Sequence, residues 1–302
     1  MTDLVRVTQS DAAVKFGALY MAKALGYFAA EGIDIVWDVD AGPGGSWLVD
    51  NLVADKAEIA LGGIWLPLTY RQLGLCDALP FAALCHRNPG VVLGRTPIAD
   101  RFDWTMLYGK RVLLSLAATS QWMYLEGVLK EAGIDMTRIK FVRDLHVRTM
   151  RSLWAAGYGD FFFTEPLAGE GLAESGETIA FTLAEAAGPV PWSVLYAKAA
   201  LFRRGDRLGQ RFFAAIERAA AWLVQTDPDA VGAALSEFFP KASPPQIARA
   251  VKRFRQTGVW SGSMAIDRAA SDRYQAMMVA YGLLDRPEPY PATADLLRAD
   301  AG

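Results

Sequence analysis

The chain has 302 residues, 52% hydrophobic and 21% charged, which is enough apolar material for a full core and enough length for two ordinary domains, and so excludes a disordered chain. Lys and Arg number 31 against 33 Asp and Glu, so no overall charge draws the protein to nucleic acid or to an acidic membrane. No apolar run approaches the ~20 residues needed to span a bilayer, and Cys76 and Cys85, with only His86 and His146 beside them, lack the spacing of a zinc site. No metal, no cofactor and no transmembrane segment are therefore expected.

In chain order, Leu4, Val5 and Val7 alternate as a first strand, and Phe16 to Ala30 follow in helical rhythm up to Gly32. Ile33 to Val39 form a second strand. Gly44, Gly45 and Ser46 then make a turn into a helix carrying Trp47. Ile59 to Leu61, closed by Gly62 and Gly63, read as a buried parallel strand whose end opens onto a site, with Trp65 leading the next helix. Phe81 to Leu84 and Val91 to Leu93 are strands on either side of a break at His86 to Gly90, where the chain is expected to cross into a second lobe.

The same strand and helix order restarts at Arg111 to Leu114, with a small-residue loop from Ser115 to Ser120 and a helix from Gln121 to Ala132. Ile139 to Val142, a helix over Thr149 to Ala156, and Asp160 to Phe163 complete that unit, and Thr164-Glu165-Pro166 ends its last strand. A second crossing is expected at Gly188 to Trp192. Beyond it, Leu208 to Gln225, Asp229 to Phe239, Pro244 to Thr257 and Ile266 to Tyr281 are helical and are expected to wrap back onto the first lobe. The expected division is residues 1–89 with 192–302 as one lobe, residues 90–191 as the other, and a ligand cleft between them.

Several segments carry a resemblance. The run Tyr20-Met21-Ala22-Lys23-Ala24-Leu25-Gly26-Tyr27-Phe28-Ala29-Ala30-Glu31-Gly32-Ile33-Asp34-Ile35 resembles the opening of the solute-binding proteins for nitrate, sulfonates, taurine and thiamine-pyrimidine precursors. The likeness continues through Asp55-Lys56-Ala57-Glu58-Ile59-Ala60, Ala156-Gly157-Tyr158-Gly159-Asp160 ahead of Glu165-Pro166, Thr257-Gly258-Val259-Trp260 and Tyr281-Gly282-Leu283-Leu284. It implies an α/β, two-lobed type 2 periplasmic-binding fold whose lobes are joined by two crossover strands, hinge closure on a ligand, and an ABC importer membrane component as the usual partner. The start Met1-Thr2-Asp3-Leu4 has no export signal, so the chain as it stands reads as cytoplasmic, or as periplasmic if a signal was trimmed.

In open α/β sheets, ligands sit beyond the carboxyl ends of strands, where helix N-termini present free N–H groups. That rule nominates Gln9, Ser10, Phe16, Gly44, Gly45, Ser46, Trp47, Gly63, Trp65, Ser115, Thr119, Ser120, Trp122 and Glu165. Each has a plainer reading as a turn, a cap or packing, and Gly44-Gly45-Ser46 lacks the Lys and Ser/Thr of a phosphate loop. With Trp192 at the second crossing, Trp47, Trp65 and Trp122 predict an aromatic-lined cleft for a planar or heterocyclic molecule. His86, Arg87 and Arg148 are basic candidates near a crossing or a strand end, as alternatives to surface solvation. Glu165, ending a very apolar strand, is expected to meet a basic side chain or a ligand donor, and it favours an amine or amidine over an oxyanion.

The rival functions are an enzyme on the same fold and a cytoplasmic ligand sensor. A thiamine-pyrimidine synthase would need a cysteine-rich motif that is absent. A desulfinase would need a nucleophilic cysteine, for which Cys85 beside His86 and Arg87 is the local candidate.

Overall fold

The computed structural model describes residues 2–39, 47–98, 101–114 and 119–298. Ten strands among them run as β1 (Asp3–Gln9), β2 (Ile33–Val39), β3 (Ile59–Gly62), β4 (Ala78–Arg87), β5 (Val91–Gly94), β6 (Arg111–Leu114), β7 (Lys140–Arg143), β8 (Phe161–Thr164), β9 (Thr178–Thr182) and β10 (Pro189–Lys198). They form two five-stranded sheets, ordered β2-β1-β3-β10-β4 and β7-β6-β8-β5-β9. In each sheet three neighbouring strands at one side, β2-β1-β3 and β7-β6-β8, are parallel, as β-α-β units require, and the strand that arrives from the other lobe, β10 or β5, pairs antiparallel on both its sides.

The chain passes between the sheets twice, at 88–90 between β4 and β5 and at 183–188 between β9 and β10. β4 and β10 are themselves antiparallel partners, from Pro189 opposite Arg87 to Lys198 opposite Ala78. The two crossings therefore lie side by side. The Arg87 guanidinium ties them together by donating to the Ala184 carbonyl at 2.8 Å. The free edge of β4 is covered by the segment after Thr257: the Ala83 and His86 amides donate to the Met264 and Val259 carbonyls at 2.8 and 2.9 Å.

The period-two alternation of the second sheet decides its packing. Leu93, Leu113 and Phe162 point to one face and bury Met150 and Trp154 of helix Val147–Ala155, while Val92, Val112, Leu114, Phe161 and Phe163 join the main core. Helix Leu208–Gln225 buries Phe212, Phe213, Ile216, Ala219, Ala220 and Leu223, a three-to-four spacing that lays one stripe on the first lobe. Asp227, Ser243 and Asp267 cap the helices Pro228–Leu235, Pro244–Gln256 and Arg268–Tyr281, each accepting from backbone amides of the first turn.

Two of these C-terminal helices reach across to the second lobe. Helix Arg268–Tyr281 lies so close to helix Thr119–Glu131 that a Cβ on Gly127 would come within 2.7 Å of Met277. Arg273 there donates to Glu131 at 2.6 Å and to the Ala187 carbonyl at 2.9 Å. On the other flank, helix Pro244–Gln256 meets helix Pro166–Glu174. Gln246 donates to the Leu167 carbonyl at 2.7 Å, and Glu170, 2% exposed, takes Arg253 at 2.7 Å and Arg249 at 3.5 Å.

Several local expectations are corrected. The first helix is interrupted: helix Gly17–Ala24 ends before Gly26, whose φ of 72° only glycine adopts readily, and a short turn Tyr27–Ala30 follows. β4 runs on through His86 and Arg87, because the Val259 carbonyl takes the His86 amide and Pro189 of β10 stands opposite Arg87, contacts that the local sequence cannot reveal, so those two residues are in a strand rather than in the break. Trp192 lies within β10 and not in the second connection, which runs over 183–188. Helix Pro166–Glu174, strand β9 and helix Thr293–Arg298 complete the chain.

Glu170 tests the flank formed by helices Pro244–Gln256 and Pro166–Glu174. Replacing Arg253 by Met leaves that buried carboxylate with one longer partner, and urea unfolding is expected to show a loss of about 2 kcal/mol; an unchanged midpoint would mean that this contact holds nothing.

Candidate functional site

A cavity of about 590 Å³ opens between the lobes. The first lobe supplies Asp11 to Lys15 from the turn after β1, together with Phe238 to Ala242, Gln246 and Phe254 from the C-terminal helices; the second supplies Arg151 and Glu165 to Ala168. Its aromatic wall is Phe238, Phe239 and Phe254, and its charged groups are Asp11, Lys15, Arg151, Glu165 and Lys241.

The backbone builds this site from both sides. After β1 the chain makes a single 3-10 turn, Val14–Phe16, and enters helix Gly17–Ala24. The Lys15 carbonyl is gripped from below by the indole N–H of Trp260 at 3.0 Å and by the Cys85 thiol at 3.6 Å. That leaves the Lys15 side chain directed at the cavity although only 10% of it is exposed. Across the gap, Glu165 occupies the N-cap position of helix Pro166–Glu174, where Pro166 needs no amide partner, and its carboxylate makes no cap hydrogen bond. It faces Lys15 instead.

The Lys15 ammonium donates to Asp11 Oδ2 at 3.1 Å and lies 3.7 Å from Glu165 Oε2. Ser10 Oγ holds the other Asp11 oxygen at 2.9 Å. Burial by itself would lower the pKa of Lys15, but the Asp11 and Glu165 carboxylates outweigh it and raise it, so the ammonium stays charged. This contact joins the lobes across the cavity.

Of the residues singled out from the sequence, Glu165 lines the cavity and Ser10 supports it through Asp11. Gln9 is fully buried beneath, accepting from the Tyr20 hydroxyl at 3.2 Å, and its Nε2 has no partner among the described residues. Phe16 is 1% exposed and belongs to the core. Trp47, Trp65, Trp122 and Trp192 are all half-buried, and none lines this cavity. Trp65 lies against Gly63. Trp122 sits edge-on to Phe141 at 5.0 Å beneath the Arg143 guanidinium, and Trp192 lies 5.4 Å from Tyr124. His86 donates through Nε2 to the Ser263 carbonyl at 2.7 Å, Arg87 is held by Ala184, and Arg148 is exposed one turn from Arg151. Ser120 is buried. Gly44, Gly45, Ser46 and Ser115 lie outside the described residues, and of Thr119 only the backbone is described.

The sequence reading missed Arg151, Phe238, Phe239, Lys241, Gln246 and Phe254 as lining residues. Arg151 had a signal, since it lies on the first exposed turns of the helix after β7. The others come from a segment that only tertiary packing brings to the cleft. Cys85, the candidate nucleophile, is fully buried, and burial pushes its thiol up to about 12 despite the nearby Lys15. It is thus a poor source of thiolate. Among the described residues no cluster of His, Cys, Asp and Glu could hold a metal ion, and no helix is long and apolar enough to cross a membrane.

The chain is 24% identical to "Putative binding protein YtlA" of Bacillus subtilis over 289 residues, covering 95% of this chain and 86% of that protein. Its fold is similar to that of the periplasmic aliphatic sulphonate binding protein SsuA from Escherichia coli, with a TM-score of 0.73 at 15% identity, covering 95% of this chain and 96% of that one. It is similar also to the desulfurization enzyme DSZB, with a TM-score of 0.66 at 17% identity, covering 98% and 96%. These structural likenesses carry the two-lobed periplasmic-binding fold, with its paired crossover strands and its C-terminal helices on the first lobe. The family model described as NMT1/THI5 like matches residues 13–230, from the turn bearing Lys15 through both lobes and into the C-terminal helices, and this chain belongs to that family.

Proposed function

We propose that this protein is a solute-binding protein that closes by hinge motion on a small organic molecule in the cleft between its lobes. The observation that carries the reading is the cavity of about 590 Å³ whose walls come from both lobes, so that an occupant touches both and favours their approach. The moving bodies are residues 1–89 with 192–302, and residues 90–191, hinged at the paired crossings. Phe238, Phe239 and Phe254 suit a planar or heterocyclic body. Membership of the NMT1/THI5-like family and likeness to a sulphonate binder support a role in ABC-type import, with an importer membrane component as partner and a periplasmic place of work. The fold of DSZB supports an enzyme as the second reading, against which stands the buried Cys85 thiol.

A thermal-shift screen with pyrimidines, flavin precursors, aromatic carboxylates, sulfonates and nitrate, with mass spectrometry of each hit, is the direct test. A true ligand at a hundred times its Kd stabilises the folded state by about 2.7 kcal/mol and is recovered intact. A hit recovered chemically altered would make the protein an enzyme, and silence across the whole screen would remove the binding reading.

Thiol labelling at pH 8 separates the same two readings independently. Cys76, half-exposed, is expected to react in the native protein, whereas Cys85 reacts only after denaturation. Rapid native labelling of both would show that Cys85 opens to the cleft and would revive the enzyme.

A further inference from the structure

The two flanks that join the lobes differ in chemistry. Beside the crossings, helices Thr119–Glu131 and Arg268–Tyr281 make a close apolar contact: Gly127 lies against Met277, and Tyr274 meets the ring of Tyr124 edge-on at 5.7 Å, both tyrosines being buried. Arg273 ties this flank to the end of the second crossing by donating to the Ala187 and Pro189 carbonyls at 2.9 and 3.2 Å. On the other flank, helix Pro166–Glu174 and the residue before it present polar groups to the first lobe at nearly every turn. Glu165 faces Lys15, the Leu167 carbonyl accepts from Gln246, Glu170 takes Arg253 and Arg249, and Glu174 takes Arg249. Gly171 leaves room for this approach, since a Cβ there would stand 2.8 Å from Gln246 Nε2.

Parting the two flanks therefore has unequal costs. Separating Gly127 from Met277 and Tyr124 from Tyr274 hands buried apolar surface to water, which opposes it. Separating the other flank exposes charged and polar groups that water solvates again, so the loss of their contacts is largely offset. That flank is also a wall of the cavity, because Gln246 and Leu167 both line it. Each stands one helical turn from the ion pairs, Gln246 from Arg249 and Leu167 from Glu170.

We propose that the polar flank is the gate of the cleft. The lobes part between helices Pro166–Glu174 and Pro244–Gln256, turning about the packed contact of helices Thr119–Glu131 and Arg268–Tyr281, and Glu170 with Arg249 and Arg253 is the latch that holds the gate shut. This deepens the solute-binding reading by giving its hinge one open side, and it rests on that reading for what passes through. Opening breaks the bond from Gln246 to the Leu167 carbonyl and widens the cavity at that wall. An occupant that touches Gln246 and Leu167 bears on the latch through one turn of each helix. Arg253 and Phe254 are neighbours on one helix, so the ion pair and the aromatic wall move together.

The test needs no ligand. Spin labels at Ser175→Cys and Glu237→Cys report across the gate, and labels at Ala132→Cys and Asp272→Cys across the other flank; all four positions are exposed, and the full chain carries Cys76→Ser with the buried Cys85 left in place. Distances are read by pulsed EPR. Glu170→Gln, which keeps the shape of the side chain and removes its charge, is expected to raise the ratio of long to short gate distances at least about tenfold, the size of one lost hydrogen bond to a charged group. The distance across the other flank should stay as it is. Arg249→Gln combined with Arg253→Gln should open the gate from the other side, and it carries the test if Glu170→Gln fails to fold, because these side chains are 40% and 30% exposed. A merely structural ion pair would lower the urea midpoint and leave the gate distance unmoved, and that result overturns the proposal. Lengthening across both pairs, or across the Ala132 and Asp272 labels alone, overturns it too. If the gate pair is unmoved while the ligand screen yields a hit, the gate falls and the clamp stands; if the gate opens as expected and the screen is silent, the motion stands and the binding reading falls.

Discussion

The antiparallel pairing of β4 with β10 is the constraint on which the rest of the molecule depends. Those two strands are the ones that leave and re-enter the first sheet, and hydrogen-bonding them to each other sets the two crossings side by side. Two adjacent connections join the lobes along one line. Arg87, bonded to the Ala184 carbonyl, works at this junction and not in the cleft. Its neighbour Gly258, with a φ of 69°, passes close by, and a Cβ there would stand 3.3 Å from the Arg87 Nε.

From this junction the site is assembled by anchoring backbone rather than by locking side chains. Cys85, near the end of β4, and Trp260, on the segment covering that strand, both donate to the carbonyl of Lys15. The turn after β1 is thereby held against the crossing, and the lysine stem has one way to go. On the opposite wall the apolar strand β8 delivers Glu165 to the start of a helix whose first residue is proline. The carboxylate has no local partner and projects into the gap.

The C-terminal helices give the cleft its flanks. Helix Arg268–Tyr281 meets the second lobe by close packing at Gly127, and helix Pro244–Gln256 meets it through the buried Glu170 and its two arginines. The second helix also places Gln246 and Phe254 in the wall, so one element both fastens the lobes and shapes the cavity. A fold shared by a sulphonate binder and a desulfurization enzyme leaves its chemistry to such walls.

Most of the strand and helix order, the fact of two crossings and the amphipathic stripe of Leu208–Gln225 were determined by the sequence itself, because hydrophobic period and turn residues act over a few positions; helix Pro166–Glu174 and β9 were not, and the second crossing lies at 183–188, ahead of the expected Gly188 to Trp192. Glu165 was legible for the same reason, as an acid ending the run Phe161-Phe162-Phe163 beside a proline. Only the tertiary structure decided what that acid faces. Lys15, Arg151, Phe238 and Phe254 are far apart in the chain and meet through long-range packing that no local pattern encodes. The tryptophans show the same limit from the other side: a place at the head of a helix told where Trp65 and Trp122 stand along the chain, while their direction depended on neighbours such as Gly63, Phe141 and Arg143. The length of β4 was likewise settled by distant neighbours, since the Val259 carbonyl takes the His86 amide and Pro189 of β10 stands opposite Arg87, holding both extended where their own propensities point to a break.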